Sequence, residues 1–248
     1  MARKPKAVGI RARTPNPRGA AKLGPTRVGG RKKGLPRAAG LDRGAPYHHG
    51  GLRDALLGAA ERVLERDGLA GLTLRAVARE AGVSHAAPAH HFADLTGLVS
   101  ELAAIGFRQF NSAMIAADAM GASPLEKALA RAKGYVAYAQ AHPGMYGLMF
   151  RTERLDMSRP ALREAAQASF AGLAGAIGAT RHEQISEQTL SLEQAADIAR
   201  AWSLVHGFTT LLLDGRLTDI LGRLPKGTDA GALLDAMLKR AMGQAPQR

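Results

Sequence analysis

The chain has 248 residues, 46% of them hydrophobic, and a formal net charge of +13. That length allows one or two domains with a sizeable core, and the absence of cysteine excludes a disulfide framework, a thiol nucleophile and a cysteine zinc site. No apolar run reaches the roughly 18 residues of a membrane span. The basic N-terminus lacks the apolar stretch and cleavage site of a secretory signal, so the cytoplasm is the expected location. Proline is nearly absent from 47 to 122 and alternating β-branched runs are missing, which favours an all-α protein.

The charge is concentrated. Residues 1–46 hold 13 Lys or Arg against one acid, Asp42. Pro and Gly recur there at short intervals without a periodic apolar pattern, so the segment cannot bury enough surface to offset its ordering entropy and is expected to be disordered. Its functional reading is an arm that meets phosphates and releases counterions. A plain solvated tail and a misassigned translation start are the alternatives. Tyr47-His48-His49-Gly50 marks the shift from arm to domain. Adjacent histidines project in different directions and no Asp, Glu or Cys cluster stands beside them, so His48 is read as a hinge or phosphate contact rather than a metal ligand.

Leu52, Leu56, Ala59, Ala60, Val63 and Leu64 recur at helical spacing to about Arg66, and Gly68 is expected to stop that helix. Leu69 and Leu72 in the connection plug the core. Leu74, Val77, Ala78 and Ala81 then form one apolar stripe, with Thr73 as N-cap. Gly82 supplies a left-handed end and Val83 the apolar residue past it. Ser84 is expected to cap a second short helix. Cap, helix, Gly, apolar residue and new cap describe a helix-turn-helix whose second helix can enter a DNA groove. An ordinary helical hairpin uses the same signals.

Asp94 caps a long helix to about Ala119, with Leu95, Leu98, Leu102, Ile105 and Phe110 inside. Ser123-Pro124 opens the next, which ends before Pro143. Gly144 to Arg151 reads as a short helical piece, 158–178 as a further helix and 180–188 as a loop. Leu190 to Leu213 has Ile198, Trp202, Val205 and Leu212 on one face and Leu204, Phe208 and Leu211 on another, so it must be covered twice. The last helix runs from Ala230 to Met242. These elements predict an all-α chain: a basic arm (1–46), a three-helix helix-turn-helix head (47–93), a helical effector and dimerisation domain (94–243) and a short disordered tail (244–248).

The run YHHGGLRDALLGAAERVLERDGLAGLTLRAVAREAGVSHAAPAHHFADLTGLVSELA resembles the DNA-binding domain of TetR-type transcriptional regulators. Trp202-Ser-Leu-Val-His206-Gly207 is similar to the Trp-His-Gly motif of one C-terminal branch of that family. The resemblance implies that Thr73 and Ser84 bind phosphate through hydroxyl and free amides. It places His85, Ala86 and His90 against base edges, with Phe92 as core. It also implies a ligand-responsive regulator, expected here to be a repressor, that binds a pseudo-palindromic operator in double-stranded DNA. The homodimer would form through the last two helices, reading half-sites about 34–36 Å apart. Three positions depart from the family pattern. Ala89 replaces a tyrosine that contacts phosphate, Leu95 and Thr96 stand where a lysine is usual, and Gly51 replaces an aspartate. The charged arm could compensate.

An apolar small-molecule effector is expected among the aromatic and methionine residues, with Phe107, Phe110, Met114, Tyr138, Met145, Met149, Phe170, Trp202 and His206 as candidates. Such residues at helical spacing equally make plain core. Trp202 and His206 lie four residues apart on one face. No catalytic constellation, phosphate loop or metal-ligand spacing is present, so neither an enzyme nor a cofactor is expected. The rival readings are a non-specific DNA-compacting protein driven by the arm and a helical enzyme with a chemically active pocket.

Overall fold

The computed structural model describes residues 49–186 and 188–241 of the chain. The arm of 1–46, His48 and the 244–248 tail lie outside the described residues. Among the described residues every regular element is a helix. Helix α1 (His49–Gly71) buries Leu56, Ala59, Ala60, Val63 and Leu64, the stripe that the periodicity marks. Gly68 interrupts it with φ 68° and ψ −176°, a conformation open to glycine and costly for other residues. One more turn then carries Leu72 into the core. Helix α2 (Leu74–Glu80) begins at Thr73, whose hydroxyl accepts the Ala76 amide at 3.1 Å, the N-cap expected. Gly82 follows at φ 68°, and the Val83 amide returns to the Ala78 carbonyl at 3.0 Å.

Helix α3 (Ala87–Phe92) starts later than its sequence signals suggest, and Ser84 does not cap it. The amide that a Ser84 cap would bind is that of Ala87, and it is taken by Ser84's own carbonyl at 3.0 Å. His85 and Ala86 form the intervening turn. Buried Pro88 stands in the first helical turn, where its lack of an N–H costs no intrahelical bond. Ala93 then adopts φ 67°, and Asp94 caps α4 (Leu95–Asp118) by accepting the Gly97 amide at 2.7 Å.

Helix α5 (Pro124–Ala141) opens with the reciprocal capping box of Ser123 and Glu126. After α6 (Pro143–Met149) comes a single 3₁₀ turn, Thr152–Arg154. Helix α7 (Pro160–Arg181) extends beyond the expected end and stops where His182 turns left-handed at φ 56°. Helix α8 (Leu192–Leu213) has its own capping box, Ser191 with Gln194. A short α9 (Thr218–Leu221) escaped the sequence reading because four residues carry no period. It follows buried Leu217 and precedes α10 (Ala230–Ala241).

The core does not part at residue 93. One cluster joins Leu56 and Leu64 of α1, Val77 of α2, Phe92 of α3, Leu98 and Leu102 of α4, and Met145 and Leu148 of α6. Gly106 lets α4 and α6 touch: a Cβ there would lie 2.7 Å from both Cγ and Sδ of Met145. A second cluster joins Ala132 and Val136 of α5, Val205 and Phe208 of α8, Leu217 and Leu234. Helix α8 therefore buries Ile198, Val205, Phe208 and Thr209, a stripe drawn from both faces assigned by sequence, and leaves Trp202 and Leu211 exposed.

Candidate functional site

Two sites emerge, at opposite ends of α4. In the head, α2 is fastened to α1 by Arg62 and Arg66, each 2.9 Å from a Glu80 oxygen. Hydrogen bonds from both, led by Arg66, hold the Glu80 carboxyl below the usual carboxylate range. This tie holds α2 against α1. Thr73, Ser84, His85, Ala86, Ala89 and His90 are exposed on the resulting surface, joined by Arg75 and Arg79 of α2, while Pro88 and Phe92 point inward. The first turn of α4 sits directly on the end of α3, where a Cβ on Gly97 would overlap the Phe92 carbonyl oxygen. The start of α4 and the end of α3 are thus in direct backbone contact.

The second site is a cavity of about 740 Å³ bounded by α4, α5, α6, α7, α8 and α10 and open to solvent on one side. Phe107, Phe110, Met114, Met149, Phe170 and Trp202 line it, six of the nine residues expected to meet an effector. The other three stand behind its walls. Met145 is fully buried in the shared core. Tyr138 donates to the Gly106 carbonyl at 3.2 Å, bracing α5 on α4. His206 Nδ1 lies 2.8 Å from the Tyr135 hydroxyl and 2.9 Å from that of Tyr146. Its ring stacks edge-on against Trp202, 6.2 Å between centroids. Burial pushes the His206 pKa down and those of Tyr135 and Tyr146 up, so all three favour their neutral forms.

Several lining residues carried weaker signals. Tyr135 and Phe150 belong to the same aromatic set but not to the nine. Asn111, Ser169 and Arg131 are polar residues on otherwise apolar helix faces, and that mismatch was their only sequence mark. Ser169 donates to Asn111 Oδ1 at 2.7 Å, and Asn111 Nδ2 donates to the Ala165 carbonyl at 3.2 Å, so this pair satisfies itself across α4 and α7. Among the described residues no group of three His, Cys, Asp or Glu could hold a metal ion, and no helix is long and apolar enough to cross a membrane.

A helix-turn-helix head continuous with a helical body that bounds an apolar cavity is the architecture of a one-component transcription regulator. Residues 56–102 match the description "Bacterial regulatory proteins, tetR family", and residues 128–241 match "Tetracyclin repressor-like, C-terminal domain". The chain belongs to the TetR family, whose members are non-enzymatic DNA-binding regulators that respond to small molecules. A protein of unknown function from Rhodococcus sp. RHA1 is 31% identical, with 82% of this chain and 99% of that one covered and a TM-score of 0.65. The fold is also similar to that of FadR from Bacillus subtilis in complex with stearoyl-CoA, at 16% identity, 78% and 99% coverage and a TM-score of 0.56. It is likewise similar to PfmR from Thermus thermophilus, at 14% identity, 77% and 99% coverage and a TM-score of 0.52. No functionally curated protein matches the sequence.

Proposed function

We propose that the protein is a ligand-released repressor that binds a pseudo-palindromic operator as a homodimer, and that it belongs to the branch marked by Trp202, His206 and Gly207. The observation that carries this reading is the shared structural path. Helix α4 contributes Phe107, Phe110 and Met114 to the cavity and rests its first turn on the recognition helix. A molecule that alters the lie of α4 in the cavity alters the head, which is the differential interaction that ligand control requires.

In this reading Thr73 and Ser84 contact phosphates, while His85, Ala86 and His90 face base edges. His48 adds a backbone contact at the entry to the head. The effector is apolar, in keeping with the cavity walls, and the nine candidate residues divide into lining and supporting roles. The exposed face of α8 carries Ala196, Ala199, Ser203, Thr210 and Leu211. Small residues at helical spacing allow two helices to approach closely, and Trp202, 46% exposed, would be covered there. Together with α10 this face suits a two-fold four-helix interface.

Footprinting on DNA upstream of its own gene tests the proposal, in competition with unrelated DNA. Preference for one site by about 10³-fold or more is expected, as is weakening by an apolar effector. A footprint no tighter than on random DNA at low salt counts against it.

A further inference from the structure

We propose that the effector is an amphipathic acid, with an apolar body and one carboxylate, and that Arg131 recognises the carboxylate by exchanging it for Asp118. This rests on the effector-cavity reading above and goes on to name the chemical class. Among the described residues the cavity wall contains no Asp or Glu, whereas Arg131, Arg200 and His182 all line it. A cationic ligand would find no counter-charge there. An anion finds three donors.

The three are not equivalent. His182 is exposed at the end of α7, and the Arg200 side chain is 51% exposed and already donates to the Ala241 carbonyl and to Asp197. These two belong to the rim. The Arg131 side chain is 15% exposed and lies on α5 one turn before Tyr135, lining the cavity. Gly172 of α7 leaves room for it, since a Cβ there would overlap Nη2. Among the described residues Arg131 donates only to Asp118, through Nη1. Once Asp118 is displaced, Nη1 and the other nitrogens of the guanidinium fork are open to a ligand carboxylate, whose two oxygens match that geometry. Of the other polar wall groups, Asn111 and Ser169 are committed to each other, the Tyr135 hydroxyl to His206 and Tyr146, Ser123 to the Glu126 amide and Thr180 to the Ile177 carbonyl, while Thr152 is exposed.

Asp118 is the last residue of α4, at the helix end where a negative charge is least favourable. Among the described residues its buried Oδ1 has no hydrogen-bond partner. The pair with Arg131 is therefore only half satisfied on the aspartate side and is poised for replacement. A carboxylate that takes the guanidinium releases the C-terminal end of α4, the helix whose first turn bears on the recognition helix.

The only tryptophan, Trp202, lines the cavity and reports occupancy by fluorescence. The full chain is titrated with decanoate, decanol and decyltrimethylammonium below their micelle-forming concentrations. Decanoate should bind about tenfold or more tighter than decanol, as a charge-assisted hydrogen bond to a buried cation allows, and the ammonium weakest. Arg131→Gln should remove the advantage of decanoate and leave decanol affinity unchanged, which also shows that the variant folds. Asp118→Asn, which keeps the guanidinium and removes its competitor, should tighten decanoate alone and decides the matter if the arginine variant is unstable. Equal binding of all three probes, a preference that survives Arg131→Gln, or no tightening by Asp118→Asn overturns the exchange while leaving the effector cavity standing. No binding by any probe overturns the cavity reading and this inference with it.

Discussion

The carboxylate of Glu65 on α1 receives the Met145 amide at 3.1 Å and the Gly144 amide at 3.3 Å. Both amides belong to the first turn of α6, where N–H groups have no partner within the helix and a negative charge is favoured. Glu65 thus caps a helix that is not its own. Helix α6 goes on to supply Met149 to the cavity wall, and Phe150 follows at its end. In the proposed regulator the cap would give a second route, beside α4, from cavity to head.

Glu65→Ala should leave these two amides without a protein partner and cost about 1–2 kcal/mol, within the range for charged hydrogen bonds at a helix start. Thermal unfolding measures the loss. Weaker release of DNA by the effector should accompany it, because α6 is then less firmly held to α1. An unchanged melting temperature would show that the cap contributes nothing.

The contact of Gly97 with α3 gives a sharper steric expectation. A Cβ there would overlap the backbone carbonyl of Phe92 and come within 2.6 Å of Arg159 Nη2. Backbone cannot swing aside as a side-chain tip can, so Gly97→Ala should destabilise the protein by about 3 kcal/mol, the upper part of the usual overpacking range. Gly147 serves as the control, since a Cβ at that helical position meets nothing within 4 Å. Gly147→Ala should be neutral or stabilising by up to about 1 kcal/mol. Equal denaturant midpoints for the two variants would refute the close approach of α4 and α3.

Much of this arrangement was legible in the sequence because it depends on local rules. Asp94, Ser123 and Thr73 announce their helices through the residue types that satisfy free amides, and all three do so in the structure. Ser84 carries the same signal without the result, because a cap also depends on where the following helix begins, and here a turn through His85 and Ala86 intervenes. In the cavity, composition picked out aromatic and methionine residues but could not tell wall from core. Met145 and Met149 are one turn apart on α6 and both press on Gly106, yet only Met149 also reaches the cavity. That distinction comes from the crossing of α4 and α6, a tertiary fact with no periodic trace. Arg131 was missed for the opposite reason: a charged residue on a helix ordinarily reads as solvent-facing.

Titration of His206 makes stability depend on pH in a defined direction. Burial lowers its pKa in the folded protein below the ordinary value, about 6.5. Above that value both folded and unfolded chains hold a neutral ring, and the contribution is fully present. As pH falls below it the unfolded chain takes up the proton first, so stability declines until the folded pKa is reached. The melting temperature should therefore drop on acidification from neutral pH, and less so in His206→Gln, which keeps a hydrogen-bonding group for Tyr135 and Tyr146 but does not titrate. Identical pH profiles for the two proteins would remove His206 as the cause.

The last expectation separates sequence reading from charge. By resemblance to the family, Ala89, Leu95 and Thr96 stand where phosphate-contacting side chains are usual, while residues 1–46 carry 13 Lys or Arg. If the arm supplies the missing contacts, deleting residues 1–43 should flatten the dependence of log affinity on log salt by about 0.9 for each phosphate no longer neutralised. The deletion should weaken operator and random DNA alike, because phosphate contacts carry no sequence information. His90→Ala should do the reverse, lowering operator affinity by about 1–3 kcal/mol, the scale of a good base contact, with the salt slope unchanged. Binding isotherms at several salt concentrations, on operator and on unrelated DNA, yield both quantities at once. An unaltered slope in the deletion would assign the arm no part in DNA binding. A His90→Ala variant with undiminished preference for the operator would move the base-reading surface away from α3.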